Sequence, residues 1–117
     1  AECFTRDKAI AALESGKIVV FGGGTGTPLF TTDTASALRA LEIGADAMFK
    51  ATLVDGVYAK DPHKYADAVR YDTLTFTRVL EERLAVMDST AATLCRDNGL
   101  PILVFDLGQP ANIAKAF

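Results

Sequence analysis

With 117 residues the chain has room for one domain with a modest core. Half of its residues are hydrophobic and 23% are charged, the balance of an ordinary water-soluble globular protein. Its 12 Lys and Arg against 15 Asp and Glu give a net charge of −3, which argues against nucleic acid or an anionic membrane as main partner, because both call for clustered cations, but leaves room for a small phosphorylated ligand.

In chain order, Thr5 is placed to cap a first helix, with Ala9, Ile10 and Leu13 on one face and Gly16 as its stop. Residues 17–21 (KIVVF) form a β-branched run without polar alternation, which predicts a strand covered on both faces. Residues 22–26 (GGGTG) break it. Thr31 to Asp33 then offer caps for a second helix, in which Ala35, Leu38 and Leu41 recur at helical spacing and which stops near Gly44. Residues 47–51 (AMFKA) are the next strand candidate.

Residues 52–72 read as loop, with Asp55-Gly56 and Asp61-Pro62 as turn signals. A helix is expected over 77–84, presenting Val79, Leu80 and Leu84. Asp88 is placed to cap another, running through Asn98-Gly99, and residues 102–105 give a third buried-type strand. Residues 112–117 read as helix. Helices alternating with short strands predict an α/β fold with a mainly parallel sheet, as a single domain over 1–117. Such a thin sheet would have open edges, which natural proteins avoid, so further strands are expected outside the chain.

Cys3 and Cys95 are the only cysteines and show no CxxC spacing, so they read as buried free thiols in a reducing, intracellular setting. No apolar run approaches the roughly 18 residues of a membrane-spanning helix. The start, AECFTRDKAI, has neither an initiator Met nor a signal-like apolar region and reads as the interior of a longer chain. A cytoplasmic location is the expectation.

The most informative stretch is FGGGTGTPLFTTDTA. Gly22, Gly23, Gly24 and Gly26 follow a strand candidate and precede a helix. Glycines there permit positive φ and let backbone N–H groups approach a ligand without a Cβ in the way. With a helix N-terminus carrying roughly half a positive charge, and with hydroxyls from Thr25, Thr31 and Thr32, this is an anion site, and phosphate is its natural occupant. Neither common phosphate motif fits, since no Lys follows the glycines and GxGxxG fails at Thr27 or Leu29. A tight strand-to-helix turn with no ligand is the alternative reading.

The stretch GGGTGTPLFTTDTASALRALEIGAD resembles the GTGNPFFTTDTAA…R…EI.AD segment of bacterial uridylate (UMP) kinases, members of the amino-acid-kinase fold family. The likeness continues through KATLVDGVYAKDP and VMDSTAATLCRDNGLPILVF and covers nearly the whole chain, as the C-terminal half of such an enzyme. It implies a three-layer αβα sandwich, truncated here at both ends. It further implies an enzyme that moves the γ-phosphoryl of ATP, with Mg²⁺, onto UMP to give UDP in pyrimidine nucleotide biosynthesis.

By the same resemblance, Thr25, Gly26, Thr27, Pro28, Leu29, Phe30, Thr31 and Thr32 hold UMP. Asp33 stands near the reacting phosphates, orienting cations and helping to manage Mg²⁺, and is the catalytic candidate. Thr52, Tyr58 and Asp61 contact ATP. Taken singly, Asp33 is a charge at a helix N-terminus, Tyr58 a loop anchor and Asp61 a turn former. Lys50 and Asp55 read as ion-pair members, and Asp46 and Asp88 as caps or interface residues. His63 carries no assigned chemistry, and no metal-ligating residue is nominated.

Thr27, Leu29, Ser36 and Leu53 depart from the common Asn, Phe, Ala and polar residue at those positions, so packing of Leu29 against uracil is where the likeness thins. A homo-oligomer, typically a hexamer regulated by GTP and UTP, is implied as well. The glycine-rich Lys segment and the Arg that meet the triphosphate in the family are not in this sequence, so the chain alone is expected to transfer phosphate poorly. Two other readings stay open: a kinase of the same fold with a different acceptor, and a non-catalytic nucleotide-binding module.

Overall fold

The computed structural model describes residues 2–116. Helix α1 (Arg6–Glu14) begins where Thr5 accepts a hydrogen bond from the Lys8 N–H, as its spacing predicts. Helix α2 (Thr32–Ile43) begins at Thr31, whose hydroxyl accepts from the Thr34 N–H. It ends at Gly44, which takes the left-handed conformation (φ 70°, ψ 38°), while the Ala45 N–H reaches back to the Ala40 carbonyl at 2.9 Å. No atom would obstruct a Cβ at Gly44, so only the positive φ requires glycine there. Gly44→Ala is therefore expected to lower stability by about 1 kcal/mol, read from the midpoint of urea unfolding.

Strand β1 (Met48–Thr52) and the later β4 (Ile102–Asp106) pair in parallel, Met48 opposite Ile102 and Thr52 opposite Asp106. Between them lie β2 (Val57–Tyr58), β3 (Arg70–Tyr71), α3 (Phe76–Glu81) and α4 (Ser89–Asp97), and α5 (Ala111–Ala116) follows β4. The parallel ladder expected of an α/β fold is thus β1–β4. Both short strands β2 and β3 fall inside the segment read as loop, where they form an antiparallel ladder with Val57 opposite Tyr71. Two residues per strand are too few for a periodic pattern, so the alternation that marks a strand has no length in which to show. The final helix spans residues 111–116; Phe117, assigned to it from sequence, lies outside the described residues.

The strand expected over residues 17–21 does not form. Those residues carry no ladder, and Ile18 and Val20 are 93% and 89% exposed. β-Propensity there is genuine, but a strand is a tertiary object: it needs a neighbour's N–H and C=O groups. Among the described residues none pairs with this segment, whose one backbone bond runs from Lys17 N–H to the Ala12 carbonyl at 3.1 Å.

The core is built from small residues. Ala37, Ala91, Ala92 and Cys95 are fully buried, and Ala40, Met48 and Leu100 nearly so. The leucine stripe read for α2 is displaced: Ala35, Ala37 and Ala40 are buried while Leu38 and Leu41 are half-buried. Alanines at the contact let α2 lie close against α4, and the longer leucines fall to its flanks. Cys95 is a buried thiol whose pKa burial pushes up, whereas Cys3, expected to be buried too, is exposed. Leu84, read as part of the helix, lies past the end of α3 yet is buried with Val79 and Ala92.

Candidate functional site

Residues 22–30 form the exposed loop that leads into α2. Gly23, Gly24 and Gly26 adopt φ of 86°, 64° and 71°, conformations that only glycine enters without strain. Thr25 folds the loop on itself: its hydroxyl oxygen accepts from the Thr27 N–H at 3.0 Å and lies 3.2 Å from the Thr27 carbonyl. Leu29 also takes a left-handed conformation (φ 72°) and is fully exposed, with Pro28 and Phe30 exposed beside it.

Where the loop meets α2, the threonines divide their work. Thr31 caps the helix and its hydroxyl donates to Asp88. Thr32 occupies the first helical position and makes no side-chain hydrogen bond among the described residues, so its hydroxyl is open to a ligand. It lines a hollow of about 480 Å³ together with Gly22, Gly23, Gly24, Ser36 and Arg39.

Asp33, one residue on, accepts from the Lys50 ammonium at 2.5 Å, and both side chains are largely shielded (28% and 22% exposed). Lys50 sits in the middle of β1 and, besides meeting Asp33, lines a second hollow. A lysine inside an otherwise buried-type strand was the available signal for this pair, since a shielded ammonium calls for a carboxylate.

That second hollow, about 570 Å³, gathers Thr52, Tyr58 and Asp61 with Lys50. The three residues nominated for the donor nucleotide therefore share one cleft. Thr52 ends β1 with its hydroxyl bonded to Val54, accepting from the N–H and facing the carbonyl at 2.9 Å each. Tyr58 donates to Asp55, which Arg70 also contacts at 2.9 Å. The Tyr58 hydrogen bond, with Arg70 behind it, holds the Asp55 carboxyl below the usual 3.8 against a small cost of burial, and the same bond raises the phenol of Tyr58. With its hydroxyl engaged, Tyr58 offers the cleft its ring. Asp61 takes the His63 N–H at 2.9 Å in a turn before Pro62, and Lys64 stands 3.6 Å from its carboxylate.

Asp88 proves to be a joint as well as a cap. It accepts from the Ala91 N–H at 2.7 Å at the start of α4, from the Thr34 hydroxyl at 3.1 Å, and from Thr31. Burial pushes its pKa up, but the hydrogen bonds from Thr31, Ala91, Thr34 and Thr90 together outweigh burial and hold the carboxyl below 3.8. One carboxylate thus ties the N-termini of α2 and α4 together, a role invisible in the sequence because its partners lie 54 and 57 residues away. Asp46 is exposed. Among the described residues no three His, Cys, Asp or Glu are grouped to hold a metal.

Residues 3–106 match the model of the amino acid kinase family. The chain is 60% identical over 114 residues to a uridylate kinase of Paramagnetospirillum magneticum, covering 97% of this chain and 48% of that protein. Among solved structures it is similar to the UMP kinase of Bacillus anthracis (TM-score 0.93, 40% identity, 97% of this chain and 47% of that one). It also resembles the UMP kinase of Ureaplasma parvum (TM-score 0.85, 37% identity, 92% and 46%) and the uridylate kinase of Archaeoglobus fulgidus (TM-score 0.73, 38% identity, 93% and 52%). The chain spans about half the length of each of these relatives.

Proposed function

The chain belongs to the amino acid kinase family and has its α/β fold, and from that premise we propose that it is the portion of a uridylate kinase that carries the acceptor loop and part of the donor cleft. The observation that supports this most is the Asp33–Lys50 pair. It joins the first turn after the glycine–threonine loop to the cleft that holds Thr52, Tyr58 and Asp61. Phosphoryl transfer needs an acceptor anion and a donor phosphate brought together with charge balanced between them. A carboxylate in the first turn of α2, paired with an ammonium that lines the cleft, supplies such a point.

In this reading the loop from Thr25 to Thr32 takes the phosphate of UMP through glycine N–H groups and the Thr32 hydroxyl. Tyr58 lends its ring, and Thr52 and Asp61 lend polar edges, to ATP. Mg²⁺ would come with the phosphates, and Asp33, beside Lys50, is the carboxylate that would help to hold it. When bound it neutralises charge on the transferring group. Asp33 itself positions Lys50 and does not attack.

The reading carries with it a place in pyrimidine nucleotide biosynthesis, a cytoplasmic location and a homo-oligomeric enzyme, a hexamer regulated by GTP and UTP, supported by the resemblance to bacterial uridylate kinases. No helix among the described residues is long and apolar enough to cross a membrane. The full-length enzyme that contains this chain is expected to form ADP from ATP only when UMP is present, followed in a coupled assay. ADP formation that ignores UMP, or that answers equally to an amino-acid carboxylate or carbamate, would sink the proposal.

A further inference from the structure

The donor cleft is also walled by the turn that follows α3, residues 82–86. Three cations line the cleft: Lys50, Lys60 and Arg83. Lys50 is held by Asp33, and Lys60 by Asp67 at 2.6 Å with the Tyr65 ring beneath it at 5.0 Å. Both lining carboxylates are engaged as well, Asp61 with Lys64 and Glu82 with Arg78 at 2.5 Å. Arg83 alone among these charges has no ion pair and no side-chain hydrogen bond among the described residues, and it is exposed.

Its backbone makes the position more telling. Arg83 has φ 50°, a left-handed conformation that an L side chain enters under strain and that glycine would relieve. The turn is fixed by bonds on either side, Glu82 N–H to the Arg78 carbonyl and Leu84 N–H to the Val79 carbonyl, with Leu84 buried. An arginine therefore stands where the local fold favours glycine. Among the described residues it is the one cation lining the cleft without an ion pair.

We propose that Arg83 is a binding residue for an anionic group of the donor nucleotide, its guanidinium meeting phosphate oxygens. A planar fork of five N–H donors matches such oxygens in pairs, and no carboxylate among the described residues is paired with it. This assignment rests on the reading of the cleft as the ATP side.

Steady-state kinetics and thermal unfolding of the full-length enzyme test it, with Arg83→Gly and Arg83→Gln beside the unsubstituted protein. Arg83→Gly is expected to raise Tm by relieving the left-handed strain while raising the KM for ATP about tenfold, the loss of one charged hydrogen-bonding partner. The KM for UMP should stay within about twofold, since the contact is made to the donor nucleotide and not to the acceptor. Arg83→Gln should reproduce the weaker ATP binding without the gain in Tm. An unchanged KM for ATP in both variants overturns the assignment, as does a fall in Tm with parallel losses for ATP and UMP. An unsubstituted enzyme that shows no ATP saturation overturns the reading of the cleft itself, and is recognisable before any substitution is made.

Discussion

Asp33→Asn in the full-length enzyme is expected to lower kcat for UMP phosphorylation by about 10²-fold or more, with far smaller changes in either KM. Asparagine keeps the size and the place of the side chain in the first turn of α2, so the fold has little reason to change. What it removes is the charge that fixes the Lys50 ammonium at 2.5 Å, in a pair whose side chains are only 28% and 22% exposed. A shielded ammonium without its carboxylate is free to move and is poorly solvated, so it no longer stands where transferring charge requires it. Lys50→Met should impair turnover from the other side. If the two groups act as one unit, the double substitution will cost much less than the product of the single losses. Full turnover in Asp33→Asn, measured as UMP-dependent ADP release, would remove Asp33 from the reacting centre and reduce it to a helix N-terminal charge.

Asp88→Ala is expected to destabilise the protein by about 2–4 kcal/mol, the sum of a lost N-cap and a hydroxyl left without its acceptor. Thr34 is 5% exposed and would lose the carboxylate it faces at 3.1 Å, and α4 would lose the bond to the Ala91 N–H. Asp88→Asn should cost less, because asparagine caps helices well, but it cannot serve all these donors at once. The pH dependence separates the two. The folded-state pKa of Asp88 is depressed, so its stabilisation is fully present above the ordinary 3.8 and is lost as pH falls through the lower folded value. The stability gap between the unsubstituted protein and Asp88→Asn should therefore be constant near neutrality and narrow below about pH 4. Urea unfolding at pH 7 and at pH 3 measures it; a gap of equal size at both would mean that the charge contributes nothing. On the proposed reading, in which the loop that Thr31 ends takes UMP, loosening of this joint should also raise the KM for UMP.

Features set by neighbours along the chain were legible from sequence. Thr5, Thr31 and Asp88 cap α1, α2 and α4 because a cap needs only a side-chain oxygen three residues before an N–H. The glycine loop was legible for the same reason: positive φ at Gly23, Gly24 and Gly26 is a local demand. The wording of that loop and of residues 50–62 pointed to the family to which the chain belongs. Tertiary structure decided what depends on distant partners. Residues 17–21 have the composition of a strand but no ladder, and residues 57–58 and 70–71 have no pattern but pair across a hairpin. Asp33 meets Lys50 across 17 residues and Thr31 meets Asp88 across 57, so although Lys50 read as an ion-pair member and Asp88 as a cap or interface residue, their partners were not legible until the helices and β1 were packed. Arg83 was one more arginine of a helical segment; only the end of α3 at Glu81, and the cleft beside the turn that follows, set it apart. Capping and turn chemistry act over three or four residues of the chain and are written there, whereas ion pairing and strand pairing act through space, and only the packed fold sets that distance.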